Sequence, residues 1–166
     1  MTSIRPCRPD EQATILGIIN AAAERYRGAI PDDCWHEPYM SAEQLARDIN
    51  AGVNFYGYED GEGQLAGVMG VQRVRDVTLV RHAYVRPDSE GMGIGGRLLQ
   101  QLEGLTDQQI LIGTWANAGW AIGFYQRHGY ALVSPHDTPA LLRAYWQISP
   151  RQIETSVVLT KSAARA

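Results

Sequence analysis

The sequence predicts a mixed α/β (α+β) domain with a mostly antiparallel central sheet flanked by helices. Three observations lead there. Residues 53–58, 64–74 and 77–85 are rich in β-branched and aromatic side chains, and the links between them are too short for anything but antiparallel neighbours. A glycine run, Gly91 to Gly96, follows the third of these strands and opens onto the leucines of a helix. Beyond it, segments of helix and strand character alternate to the last residues.

Taken in order, residues 3–7 read as a short strand. Asp10 then caps a helix to about residue 26, with Ile15, Ile18, Ile19 and Ala22 at the spacing of one buried face. Gly28 and Pro31 break it. Residues 32–39 show no period and carry Asp32, Asp33, Trp35, His36, Glu37 and Tyr39. Ser41-Ala42-Glu43-Gln44 is a capping box for a second helix bearing Leu45 and Ile49. Asp60-Gly61-Glu62-Gly63 makes a hairpin of the first two meander strands, and Arg75-Asp76 joins the second pair. Leu98, Leu99 and Leu102 form the stripe of the helix after the glycines. A strand is expected at 109–115, a helix at 118–128 and a strand at 130–134. Thr138-Pro139 opens a short helix by cap and first-turn proline, with Leu141, Leu142 and Tyr145 on its apolar side. Ile153, Thr155, Val157 and Leu159 alternate with Glu154, Ser156 and Thr160, which predicts a last strand with one face buried. No repeat, linker or low-complexity tract divides residues 1–166, so one domain is expected.

Whole-chain properties exclude several classes of function. A chain of 166 residues buries roughly 70% of its unfolded surface. Its hydrophobic content of 45% is ordinary for a globular protein, and its formal net charge of -3 argues against nucleic-acid and anionic-membrane surfaces. Basic charge is nearly all arginine, Lys161 being the only lysine. Cys7 and Cys34 make no disulfide framework, and Cys34-Trp35-His36 lacks a second pair at ligand spacing, so no metal is expected. With no apolar signal region or run of membrane-spanning length, a cytoplasmic location is expected.

The stretch Ala83 to Leu99 carries the chemistry. Pro87 ends the strand ladder, and Gly91, Gly93, Gly95 and Gly96 leave no Cβ above the backbone donors. A helix that begins inside a glycine run presents unpaired N–H groups and a partial positive charge, a cradle for phosphate. Gly91-x-Gly93-x-x-Gly96 also fits the dinucleotide fingerprint. The antiparallel meander ahead of it argues against that reading, because a dinucleotide fold places its loop in a parallel strand–helix–strand unit.

The same residues resemble motif A of the GNAT superfamily of N-acetyltransferases, Arg/Gln-x-x-Gly-x-Gly/Ala, with Gly93 and Gly95 in the glycine positions and Val85-Arg86-Pro87 upstream. Glu90 departs from it, standing where Arg or Gln is usual. A second stretch, Asn117 to Tyr130, is similar to the superfamily's other signature, Ala-x-x-Phe/Leu-Tyr-x-x-x-Gly-Phe/Tyr. Ala121, Phe124, Tyr125, Gly129 and Tyr130 match position by position, with Asn117 one residue further upstream than the usual Asn.

The resemblance implies a GNAT-like acyl-CoA N-acyltransferase fold and an acetyl-CoA-dependent N-acetyltransferase of small-molecule or peptide amines. A homodimer stays open. It implies a coenzyme site made by Tyr84, Val85, Glu90, Gly91, Met92, Gly93, Ile94, Gly95, Gly96, Arg97, Asn117, Ala121 and Phe124. Tyr84 and Val85 would face the pantetheine, and the glycines with Arg97 the pyrophosphate. Tyr125 takes the place of the general acid that protonates the departing thiolate. The general base stays open among Glu24, His36, Glu37 and His82. Segment 24–39 would form part of the acceptor wall, with Trp35, Glu37, Tyr39 and His82 as substrate-binding residues. The acidic and aromatic content of that segment suits a small cationic amine. The alternative is a catalytically inactive acyl-CoA-binding sensor or interaction module of the same fold.

Overall fold

A computed structural model of the chain describes residues 2–162. Seven strands form one sheet in the order β1-β2-β3-β4-β5-β7-β6: β1 Ser3–Pro6, β2 Asn54–Glu59, β3 Leu65–Val74, β4 Val77–Val85, β5 Gln109–Trp115, β6 Ala131–Leu132 and β7 Ser156–Lys161. Six α-helices flank it: α1 Gln12–Ala23, α2 Ala42–Asn50, α3 Ile94–Glu103, α4 Gly119–Arg127, α5 Thr138–Tyr145 and α6 Pro150–Glu154. Every neighbouring pair of strands is antiparallel except β4 and β5. The expected mostly antiparallel mixed sheet is present.

Side-chain alternation sorts the helices onto the two faces. Ile110 and Ile112 of β5 pack with Val80, with Leu98, Leu99 and Leu102 of α3, and with Ala121 and Tyr125 of α4. Leu111, between them, points the other way, to Val77, Leu79 and Leu142 of α5. Ile15, Ile18 and Ile19 of α1 and Leu45 of α2 cover Val53, Phe55 and Val68. Lys161 ties β7 to the helices, because Nζ donates to Glu103 Oε2 at 3.0 Å and to the His128 carbonyl at 2.9 Å.

Three elements differ from the sequence reading. Asp10 does not cap α1. The chain makes a 3-10 turn at Pro9–Glu11, where the Glu11 carboxylate accepts from the Arg8 amide at 2.6 Å and from Arg5 at 2.9 Å. Ile153 and Glu154 belong to α6 rather than to the last strand. Ser149-Pro150-Arg151-Gln152 is a second capping box, Ser149 Oγ accepting from the Gln152 amide at 3.2 Å. The last strand is therefore shorter, and it is central, so Val158 and Leu159 are both buried instead of one face being wet. Of residues 130–134, Ala131–Leu132 form the strand, at the exposed edge, and the Val133 amide donates to the Val158 carbonyl at 2.8 Å.

One irregularity positions the site. β4 and β5 pair only from Val77↔Gln109 to Val80↔Ile112. Beyond that, β4 stays with β3 up to Val85↔Gly67, while β5 stays with β7 up to Trp115↔Ser156. The two central strands part, and the sheet opens into a V. The register between β3 and β4 also slips, from Gly70↔Arg81 to Val68↔Tyr84, so His82 and Ala83 together oppose Met69. That is a β-bulge, and His82 sits in it at φ 55°, in the left-handed region.

The Arg5–Glu11–Glu59 cluster makes a testable statement about acid stability. Arg5 hydrogen bonds pull the Glu11 carboxyl down from 4.5 to about 2 against the opposing effect of burial. A depressed carboxyl contributes stability above its unfolded value and loses it as pH falls toward the folded one. Urea unfolding should show wild type more stable than Glu11→Gln at pH 5, with the gap closing toward pH 2.5. A pH-independent gap would mean that the ion pair contributes nothing.

Candidate active site

Two clefts meet at the opening of the V. One, of about 470 Å3, lies against α3 and α4; the other, of about 860 Å3, lies between α2 and the α5–α6 segment. Tyr26, Ala83, Tyr84 and Tyr125 line both. A molecule lying in the first cleft therefore reaches the second through the gap left by the parted strands.

The first cleft begins at the glycines. Gly93 adopts φ +79° and is the N-cap of α3, with no side chain capping the helix. The cleft is lined there by Gly91, Gly93, Ile94, Gly95 and Gly96, so the free N-terminal amides of α3 face a hollow. The four glycines are glycine for two reasons. A Cβ on Gly91 or Gly93 would meet nothing within 4 Å, but both residues have φ +79°, which other residues adopt at a cost. A Cβ on Gly95 would come to 3.3 Å from the Phe124 ring, and one on Gly96 to 2.8 Å from His128 Nε2. Gly91 and Gly93 thus shape the turn, while Gly95 and Gly96 let α4 close on α3. Uncapped donors, a helix dipole and open space fit a diphosphate.

Charge around this hollow is balanced by residues outside the motif. Glu90 lines it, 3.7 Å from Arg25, and the Arg25 guanidinium lies 5.0 Å over the Trp120 ring. Arg127 adds a second cation. Arg97 turns away, donating from Nη1 to Tyr58 Oη at 3.2 Å. Deeper in, Val85, Trp120, Ala121 and Phe124 give the cleft apolar walls.

Three phenols stand at the junction. Tyr26 packs edge-on against Tyr84 at 6.0 Å and tilted against Trp120 at 5.1 Å, and Phe124 lies edge-on to Tyr125 at 5.2 Å. Burial is the main cause that raises all three hydroxyls, Tyr26 to about 12 and Tyr84 and Tyr125 further. They hold their protons at neutral pH.

The second cleft holds an imidazole–carboxylate pair at the bulge. His82 Nε2 is 2.8 Å from Asp48 Oδ2, and its ring is stacked on Phe55 at 6.0 Å. With Asp48 accepting at Nε2, the neutral tautomer leaves Nδ1 without its proton. Burial pulls the His82 pKa down, opposed by the Asp48 hydrogen bond and helped by the Arg81 charge.

Among the sequence-derived coenzyme residues, Tyr84, Val85, Glu90, Gly91, Gly93, Ile94, Gly95, Gly96, Ala121 and Phe124 line the first cleft. Met92 is 67% exposed, and Asn117 and Arg97 lie outside the lining. On the acceptor side Tyr39, His36 and His82 line the second cleft, and Trp35, Glu37 and Glu24 do not. Glu37 accepts from the Trp35 indole at 2.7 Å and from Arg27 at 2.6 Å, and Glu24 also binds Arg27. Tyr26, Arg25, Arg127, Asp48 and Arg81 escaped the sequence reading. Trp120 and Arg127 lie inside the second motif, the local signal that could have found them.

Residues 51–132 match the family model described as Acetyltransferase (GNAT) domain. Over this stretch the chain matches the GNAT acetyltransferase family. That family's chemistry is acyl-CoA-dependent acetyl transfer. Solved structures of the same fold include an acetyltransferase of the GNAT family from Staphylococcus aureus Mu50, at 15% identity and TM-score 0.72 over 99% of this chain and 100% of that one. PaiA N-acetyltransferase from Thermoplasma acidophilum, in complex with coenzyme A, is similar at 15% identity and TM-score 0.72, over 98% and 99% of the two chains. Ribosomal-protein-S18-alanine N-acetyltransferase from Escherichia coli is similar at 16% and 0.70, over 100% and 96%. At these identities the likeness is one of fold. No curated protein matches the chain. Among the described residues no cluster of His, Cys, Asp and Glu could hold a metal, and no helix is long and apolar enough to cross a membrane.

The GNAT cradle can be tested at Gly93, where a side chain would enter open space rather than the core. Gly93→Val should weaken coenzyme A binding about tenfold or more by calorimetry. The left-handed φ makes the same change cost roughly 1–2 kcal/mol of stability, a few degrees in Tm. A folded variant that binds normally would remove this turn from the phosphate site.

Proposed function

We propose that the protein transfers the acetyl group of acetyl-CoA directly to the primary amine of a small molecule or peptide. One observation carries this reading: two clefts, one with a helix-terminus anion cradle and one polar, joined only where β4 and β5 part. The coenzyme supplies an acyl group activated as a thioester. The α3 amides hold its diphosphate, and backbone groups of β4 released from β5 are free to pair with its amides and to meet the developing oxyanion. The PaiA protein in complex with coenzyme A supports this use of the fold.

The remaining work is proton transfer. His82, held by Asp48 through Nε2, accepts the amine proton at Nδ1 as the N–C bond forms. Tyr125 donates its proton to the sulfur as the C–S bond breaks, and solvent restores it. Burial favours both starting forms, a neutral imidazole and a protonated phenol. A cleft with an oriented imidazole favours turnover over a silent acyl-CoA sensor.

Thiol release across an amine panel tests the reading. Tyr125→Phe should keep acetyl-CoA affinity within a few-fold and lower kcat and kcat/KM together by about 10²–10⁴. Tyr26→Phe, at the same junction, should change kcat much less. The reverse ranking would move the acid to Tyr26. His82→Gln should lower kcat by a comparable factor and remove the acidic limb of its pH profile. A retained limb would take the base away from His82.

A further inference from the structure

The second cleft holds more guanidinium than carboxylate, and its carboxylates are already engaged. Arg47, Arg81 and Arg151 line it against Asp33 and Asp48. Asp33 accepts from Arg151 at 2.9 and 3.3 Å, which closes that pair. Asp48 gives its short contact to His82, at 2.8 Å, and its nearest approach to Arg81 is 3.9 Å. Of the other acidic side chains of segment 24–39, Glu24 and Glu37 both bind Arg27, and these two and Asp32 lie outside the lining.

Arg47 is exposed to solvent, and Arg81 is the partly buried cation left over. Its one side-chain hydrogen bond among the described residues goes from Nη1 to Gln72 Oε1, at 3.2 Å. Its side chain keeps 20% exposure on the floor of the cleft. Among the described residues no fully buried side-chain nitrogen lacks a partner, so the remaining Arg81 donors open into the cleft. A mostly buried guanidinium with donors to spare is poorly compensated by the protein, and burial lowers its pKa accordingly. Its fork geometry suits a carboxylate in two-point contact.

Position narrows the ligand. Arg81 and His82 are consecutive on β4, and both approach the same oxygen, Asp48 Oδ2. An anion on Arg81 therefore lies on the same stretch of the cleft wall as the His82 ring. Resting on the acetyltransferase reading, we propose that the acceptor is an amine carrying a carboxylate one or two carbons away, an α- or β-amino acid, with Arg81 binding the carboxylate.

The test pairs each amino acid with its decarboxylated amine: phenylalanine with phenethylamine, histidine with histamine, leucine with isopentylamine, and β-alanine with ethylamine. Acetyl-CoA binding is measured separately by calorimetry. Wild type should favour the carboxylated member of at least one pair by about tenfold or more in kcat/KM, a comparison that needs no variant. Arg81→Gln should abolish that preference by raising KM for the amino acid far more than for the amine, with acetyl-CoA affinity unchanged. Arg81→Lys should restore part of the preference. Equal or better use of the decarboxylated amines overturns the inference while the acetyltransferase reading stands, as does a preference that survives Arg81→Gln. Acetyl-CoA binding without turnover of any pair overturns it too, and a failure to bind acetyl-CoA overturns the acetyltransferase reading itself.

Discussion

The site depends on one broken set of hydrogen bonds, those that β4 and β5 would make beyond Val80 and Ile112. In a continuous sheet these backbone groups satisfy one another, and the interior is sealed. Here they are exposed at the bottom of two clefts. The bulge at His82 and Ala83 falls just where β4 leaves β5, and packing holds it there. Phe55 lies against the His82 ring and Asp48 anchors its far nitrogen. The left-handed backbone of His82 is thus retained by its side chain's contacts, and the strain sits where the chemistry is proposed.

The same economy governs the glycine run. Pattern alone suggests four equivalent residues that expose amides. Their surroundings separate them, because Gly91 and Gly93 face open space at positive φ, while Gly95 and Gly96 are pressed by Phe124 and His128. The first motif cannot form its cradle without the second motif's helix fitting against it. His128 Nδ1 in turn donates to the Phe124 carbonyl at 2.9 Å, which fixes the ring that Gly96 must accommodate.

What could be read from the sequence was local. Strand composition, hairpin links, the Ser41 cap and both motifs each act within a few residues, and all lie where they were expected. The last strand misled because Ile153 and Thr155 extend an alternation that the Ser149 capping box overrides. The acceptor side was harder to read, since its character depends on pairings across the chain. Asp33 is neutralised by Arg151, 118 residues on, and His82 is oriented by Asp48, 34 residues earlier. Composition presented segment 24–39 as an acidic wall; Arg27 takes up Glu24 and Glu37 within the segment, and Asp33 goes to a residue that no spacing could indicate.

Glu90 shows how such a pairing settles an apparent contradiction. A carboxylate beside a diphosphate site raises the energy of a bound anion unless a cation offsets it. Arg25 does so from the turn that follows α1, and it is held in reach by the Trp120 face. The pair is exposed, so its direct contribution to stability is small. Its effect is on the field at the cradle, where Arg25 and Arg127 leave an excess of positive charge over Glu90. The positive charge that an arginine at position 90 would bring is supplied here by a stacked arginine from another element. The amides of α3 still supply the directional donors, and long-range attraction comes from side chains that no glycine pattern contains.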